Sequence, residues 1–512
     1  MNAFTPLDFG VLLVYLAGVT VWGAWLGRGQ TSGQDYFLGN RDLPWAAVML
    51  SVVATETSTL TFLSIPGVSY LGTLGFLQLT FGYLAGRVVV SAFLLPAYYR
   101  GDLSTAYALL EERFGQGTRR FASAVFMVTR LLADSVRLFA TAIPLALVTG
   151  WDYPVSIVVI GALTLVYTYL GGIKAVVWVD AVQMGLYLIG ALIAMAALQV
   201  LTPEGWGGIL SSAGEAGKLA VLDLSLDFSV TYTLWAGVLG GGFLTMASHG
   251  TDQLIVQRLL TCRDLAASKK ALVGSGVVVI GQFLLFLLVG LGLWVYYAGR
   301  TFGTSDEIFA RFVVEELPAG VSGLLVAGVF AAAMSSLSSS INSLASASAY
   351  DFWAPLAGAE GDEARTLRAG KLFTLVWAAL LVGGGVLFIP LSEGNTAVEV
   401  ALAIASVVYG GLLGTFVLAV RSTRADQRSA IVGMIAGIGV VTAIWWFARA
   451  DVAWPWFVPI GTAVTVSVGW VLGRGSPGPG SSGSQSGDSP SDLSGDSSSE
   501  LSSDLPGNSQ PT

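Results

Sequence analysis

The segment Ser51-Val-Val-Ala-Thr-Glu-Thr-Ser-Thr-Leu-Thr-Phe-Leu-Ser-Ile-Pro66-Gly67 decides how this chain is read. It lies in an apolar run over 45–72, yet it places Glu56 among hydroxyls at positions 51, 55, 57, 58, 59, 61 and 64. Crossing a hydrocarbon core of roughly 30 Å takes about 20 apolar residues, so the run is long enough to span a bilayer. A polar or ionisable side chain at that depth is costly, and each one is a functional hypothesis by default. A continuous helix this polar makes a poor lipid-facing rod. A broken helix lining a site would use these groups, because freed carbonyls and hydroxyls can replace an ion's hydration shell. The competing reading is a buried packing helix whose hydroxyls bond back to their own backbone. Glu56, which needs a partner, favours the first.

Composition extends the membrane reading to the whole chain. Of 512 residues 54% are hydrophobic and 11% charged, where a soluble domain carries about 25% charged residues. The 64 glycines suit helices that approach closely in lipid. Apolar runs between charged or Pro/Gly breaks predict spans near 8–27, 45–72, 75–98, 119–150, 153–170, 176–200, 231–258, 270–298, 319–352, 369–391, 396–420, 428–448 and 453–473, thirteen in all. With the N-terminus outside, 18 of the 25 basic residues fall in inner loops and four in outer ones, the expected positive-inside bias. Arg87, Arg130 and Arg137 fall within spans.

Residues 1–474 are thus expected to form the transmembrane domain, with an outer loop over 201–230. The stretch 475–512, rich in Ser, Gly, Pro and acids, reads as a disordered cytoplasmic tail. The start lacks a basic n-region, so the first run reads as a retained helix. Cys262 and His249 are the only cysteine and histidine. This excludes disulfides, cysteine metal sites, His-pair zinc sites and Ser-His-Asp or Cys-His nucleophiles. There is no GxxxxGK[ST] loop to power the protein with ATP and no basic patch for nucleic acid.

Three further polar segments stand out. In Ala331-Ala-Ala-Met-Ser335-Ser336-Leu-Ser338-Ser339-Ser340-Ile-Asn342-Ser343, Ser335 shares a helix face with Ser338 and Ser339. Serine also lets membrane helices pack closely, and that reading is equally good. In Tyr167-Thr-Tyr-Leu-Gly171-Gly172-Ile-Lys174-Ala-Val-Val-Trp178-Val-Asp180-Ala-Val-Gln183, Asp180 is either a site residue or half of a simple pair with Lys174. Gly240-Gly241-Gly242 and then Ser248-His249-Gly250-Thr251-Asp252-Gln253 suggest a second, glycine-interrupted span. Two interrupted spans in corresponding positions point to an inverted-repeat transporter with its site between the breaks. The repeats would cover about 45–200 and 231–420. Thr55, Ser58, Gln78, Thr245 and His249 lie in or near the breaks and are the candidate solute contacts.

These motifs resemble the sodium:solute symporters, the family of bacterial proline, sialic acid and galactose symporters. Gly-Gly-x-x-Ala-Val-x-Trp-x-Asp-x-x-Gln stands complete from Gly171 to Gln183, and Asp252-Gln253 with Gln257-Arg258 looks like a second signature. The resemblance implies an all-α integral membrane protein with about 13 transmembrane helices. It also implies a LeuT-type 5+5 inverted repeat with one helix before and two after. It further implies a sodium site from the carbonyls of Ala54, Thr57 and Ala332 and the hydroxyls of Ser335 and Ser336. A second sodium would use Asp180, Ser338 and Ser339, and Glu56 would act in coupling or solute binding. The lysine that contacts sugar in galactose symporters has no counterpart near Val279, and aromatic gating positions hold Ser248 and His249.

The expected function is therefore sodium-coupled symport of a small polar solute or anion into the cell, by a monomer in the cell membrane with its C-terminus in the cytoplasm. One or two Na+ and no organic cofactor are expected. A proton-coupled symporter on the same fold, or a transporter-like sensor, is the alternative.

Overall fold

The computed structural model describes residues 4–101, 103–303, 305–389 and 397–473. The expected tail over 475–512 lies outside the described residues. Among the described residues the secondary structure is helical apart from one isolated bridge, Leu43 to Cys262.

The helices run α1 Pro6–Leu26, α2 Gly33–Leu38, α3 Trp45–Glu56, α4 Thr59–Leu71, α5 Leu77–Phe93, α6 Leu95–Tyr98 and α7 Ala108–Phe114. Next come the long α8 Gln116–Thr149 and α9 Tyr153–Leu201, then α10 Gly205–Glu215 within the expected outer loop. A π turn, Ala236–Gly240, leads into α11 Gly241–Gly250 and α12 Gln253–Leu259. The remainder are α13 Leu265–Tyr296, α14 Ser305–Glu315, α15 Val321–Ala347, α16 Ala354–Leu356, α17 Glu363–Phe388, α18 Ala397–Arg421, α19 Gln427–Phe447 and α20 Phe457–Leu472. Among the described residues nine helices are long and apolar enough to cross a bilayer, or ten if the bent α3/α4 pair counts as one span.

Burial sorts these helices into layers. The window over Val321–Leu356 is 83% buried, against 28% for α1, 22% for α17 and 28% for α19. α15 is therefore the central helix, which is why its face can be serine and alanine throughout. α1, α17 and α19 turn apolar side chains outward, as helices in lipid do. Asp8 fastens the centre to the rim: its Oδ1 accepts the backbone N–H groups of Gly320 (2.7 Å) and Gly323 (2.8 Å) and the Ser322 hydroxyl (2.7 Å), at the N-terminus of α15.

Backbone breaks fall at three places. α3 ends at Glu56 and α4 starts at Thr59, with a 62° bend between them. α9 breaks at Gly172 (φ 52°, ψ −154°), between the two spans expected there. A Cβ at Gly172 would lie 2.6 Å from the Tyr36 carbonyl oxygen, so both backbone angle and space call for glycine.

The third break differs from expectation. The helix runs through Gly240-Gly241-Gly242 and stops instead at Thr251 and Asp252, whose side chain caps α12. The glycines serve packing. A Cβ on Gly241 would lie 2.8 Å from the Leu79 carbonyl oxygen, and one on Gly82 of α5 only 2.1 Å from that of Gly237. α5 and α11 pack backbone to backbone, the use small residues have in lipid.

Candidate functional site

The α3/α4 break is where the polar residues meet. At its start Thr57 leaves helical geometry (φ −81°, ψ 88°). The Ser58 N–H turns to the Glu56 carbonyl at 3.1 Å rather than to Ala54 four residues back, which frees the Ala54 carbonyl. Ser58 then caps α4, accepting from Thr61 N–H at 3.4 Å. α15 lies alongside: Thr55 Oγ1 is 3.2 Å from Ser339 Oγ, and the Thr59 hydroxyl donates to the Val329 carbonyl at 3.3 Å. The break and the serine face, nearly 300 residues apart in sequence, are thus neighbours. Thr57 itself receives the Gln282 amide N–H at 2.6 Å, from α13.

The expected sodium ligands divide between two environments. The Ser336 hydroxyl is buried without a hydrogen-bond partner and faces a cavity of 20 Å³ lined also by Ser58, Thr59, Asp134 and Arg137. That volume holds about one water or one small ion. Carbonyls and hydroxyls are hard oxygen donors, a set that fits sodium and offers nothing to a soft metal. The Ser335 hydroxyl instead donates to Asp180 Oδ1 at 2.7 Å.

Asp180 anchors the second cluster. It is fully buried, and its Oδ2 accepts from Ser51 Oγ at 2.6 Å and from Arg258 at 3.1 Å. Arg258 also donates to Ser51 Oγ (2.9 Å), to the Leu254 carbonyl (2.7 Å) and to Ser339 Oγ. Ser338 and Ser339 donate to the Ser335 carbonyl at 3.1 and 2.6 Å. The simple pairing with Lys174 is not made: Lys174 meets Asp35 at 2.5 Å, near the Gly172 break. Both follow the Gly172 break on one stretch of helix, and a separation of six residues turns them to different faces.

The third cluster is Glu56, Arg87 and His249. Arg87, fully buried on α5, pairs with Glu56 Oε2 and donates to His249 Nε2 at 3.0 Å. His249 Nδ1 lies 2.9 Å from Ser248 Oγ. With Nε2 accepting from Arg87, the ring proton sits on Nδ1 and points to Ser248. Glu56 keeps a side chain 19% exposed toward the break.

Two expected solute contacts lie elsewhere. Gln78 spends its amide on Gly75 (3.2 Å), Tyr232 (2.9 Å) and Asp223 (3.0 Å), fastening the segment before α11 to the start of α5. Thr245 is buried against Gly86 in the α5–α11 contact. Conversely, the roles of Arg87, Asp134, Arg137 and Arg258 were not read from sequence. The rule that singled out Glu56, ionisable side chains inside a span, would have found the three within spans.

The chain's relatives are sodium symporters. The sodium:solute symporter family model matches residues 36–437. A sodium/sialic acid symporter of Aliivibrio fischeri is 29% identical over 92% of this chain and 93% of its own. The human sodium/iodide cotransporter is 29% identical over 86% of this chain and 70% of its own. A solved Na+-coupled sialic acid symporter, substrate-bound and outward-open, superposes with a TM-score of 0.84 at 28% identity, covering 91% of this chain and 98% of that one. The chain belongs to the sodium:solute symporter family and is a multi-pass membrane transporter that couples sodium to the movement of a small solute.

Proposed function

We propose that the chain carries a small organic anion into the cell with one sodium ion, which is held by the carbonyls of Ala54, Thr57 and Ala332 and the hydroxyls of Ser335 and Ser336. The observation behind the sodium assignment is the unpartnered Ser336 hydroxyl at an ion-sized cavity beside the α3/α4 break; of the five ligands it alone lines that cavity. Ion binding there ties α3 to α15, orders the break and so favours solute binding; the two repeats then rock to release both inside.

The anion reading rests on Arg87 and Arg137 flanking the break. It also rests on relatives named as sialic acid, iodide and monocarboxylate transporters. Two groups close to the break suit the solute itself: the partly exposed Glu56, for a hydroxyl or amide of the solute, and Ser58 at the N-terminus of α4. Thr55 and His249 serve through the residues they hold.

A second sodium at Asp180, Ser338 and Ser339 would require Arg258 to leave Asp180 and Ser339. With Arg258 in place the buried carboxylate already has its cation, which favours a single ion. One sodium crossing 100 mV contributes about 2.3 kcal/mol, and a tenfold gradient about 1.4 kcal/mol more. A single ion therefore sustains a solute gradient of several hundredfold.

The repeats cover about 45–200 and 231–420 in our reading. Adding α8, the second half of α9 and the broken α11/α12 pair to the ten spans makes thirteen. α8 is long enough at 34 residues, and over 132–149 its sequence carries only two charges, Asp134 and Arg137. An odd count places the N-terminus outside and the C-terminus in the cytoplasm, given the basic inner loops. We read the transporter as working as a monomer.

The test is thermal unfolding of the detergent-purified protein in sodium chloride and in potassium chloride, with a panel of sialic acid, monocarboxylates, inorganic anions, sugars and amino acids. A ligand of the native state raises Tm by mass action. We expect one anion to stabilise in sodium alone, and Ser336→Ala to abolish the sodium dependence. Equal curves in the two salts, with proton-driven uptake, would put a proton in sodium's place.

A further inference from the structure

The sodium ligands named above are all neutral oxygens, and the one that lines the cavity, Ser336, shares its wall with an acid and a base. Asp134 and Arg137 lie one turn apart on α8, which carries both into the middle of the bundle. Asp134 is 5% exposed. Its Oδ2 accepts from Ser340 Oγ at 2.5 Å, one turn along α15 from Ser336. Its Oδ1 pairs with Arg137 Nη1 at 3.2 Å.

A second arginine, Arg130, comes within 3.6 Å of Asp134, but Asp252 and Tyr409 hold the other nitrogen of that guanidinium. The two arginines differ in freedom. The Arg130 side chain is 7% exposed and tied to α12 and α18, whereas that of Arg137 is 25% exposed and pairs with Asp134. The carboxylate is fixed and one of its counter-ions can move.

In a low-dielectric cavity a carboxylate at the wall adds Coulomb attraction to what neutral oxygens give a cation. A guanidinium at the same wall opposes it. We propose that Asp134 supplies the negative charge that holds sodium in this cavity, and that Arg137 is the competing cation, pairing with Asp134 when the ion is away and displaced when it binds. This rests on the sodium site proposed above. Asp134 and Arg137 are then positioning residues that set sodium affinity in opposite directions.

The experiment is a sodium titration of the full-length detergent-purified protein without solute, at constant ionic strength made up with potassium. The half-saturating sodium concentration is read from Tm and from tryptophan fluorescence. Asp134→Asn, which keeps an acceptor for Ser340, raises that concentration by about tenfold or more, as loss of a nearby opposite charge does. Asp134→Glu recovers most of it. Arg137→Gln lowers it by roughly threefold. A merely structural role would lower Tm in potassium for both variants without moving the two half-saturations apart.

Parent-like sodium binding in Asp134→Asn, or a shift of the same sign in both variants, overturns the proposal. Should Asp134→Asn not fold, Arg137→Gln decides alone: unchanged or weaker sodium binding overturns it, and tighter binding supports it. Ser336→Ala separates the two levels. If it leaves the titration unchanged, the sodium site itself is wrong; if it shifts the titration while Asp134→Asn does not, only the role of Asp134 falls.

Discussion

Arg258 illustrates what a charge inside a membrane span needs. Its guanidinium and the Asp180 carboxylate are both fully buried, and hydroxyls or a backbone carbonyl take up the remaining guanidinium contacts. Such a pair offers little net stability, but removing one partner leaves a buried charge and costs about 3–5 kcal/mol. Arg258→Ala should therefore lower Tm in potassium. It should also leave Asp180, Ser51, Ser335 and Ser339 around a space that sodium can enter. We expect sodium to restore much of that stability, and the Hill coefficient for sodium-dependent uptake to rise from near one toward two. A coefficient of two in the unmodified protein would show that Arg258 and a second ion coexist. Glu56 and Arg87 follow the same logic, except that Glu56 keeps an exposed edge for solute.

At the scale of elements, the breaks matter more than the helices. The α3/α4 break releases a carbonyl and orients Ser58, whereas the half of α9 beyond the Gly172 break sets Lys174 beside Asp35 and Asp180 against α12 and α15. Gly172→Ala tests the second. A side chain at φ 52° and ψ −154°, with its Cβ 2.6 Å from a carbonyl oxygen, is strained by about 1–3 kcal/mol. The expected result is a fall in Tm together with weaker sodium binding, because Asp180 and Ser335 share a hydrogen bond and Ser335 is a proposed ligand. Unchanged sodium binding in a destabilised variant would confine Gly172 to a structural role. The glycines at 240–242 teach the reverse lesson. Gly241 lets α5 approach, and the chain turns ten residues further on, at Thr251, where Asp252 can cap a new helix.

For the whole molecule, the arrangement of loops predicts sidedness. Cys262 is fully buried, so single cysteines can be added without background labelling. Ser225→Cys, on the exposed segment after α10, should react with an impermeant maleimide in intact cells. Thr423→Cys, between α18 and α19, should react only after permeabilisation. The opposite pattern would invert the topology. At this scale, too, the limits of the sequence are clear. Apolar length, the composition and the position of Glu56 among hydroxyls are local properties, so the chain alone determined that this is a membrane protein with a polar second span and a serine-rich ninth. Partners are not local. Arg258 is 78 residues from Asp180 and Asp134 is 206 from Ser340, and which helices adjoin depends on close packing through glycine and on where the backbone turns. Only the tertiary structure could decide that Asp180 meets Arg258 rather than Lys174, that Gln78 binds backbone, and that an acid and a base of α8 stand beside Ser336.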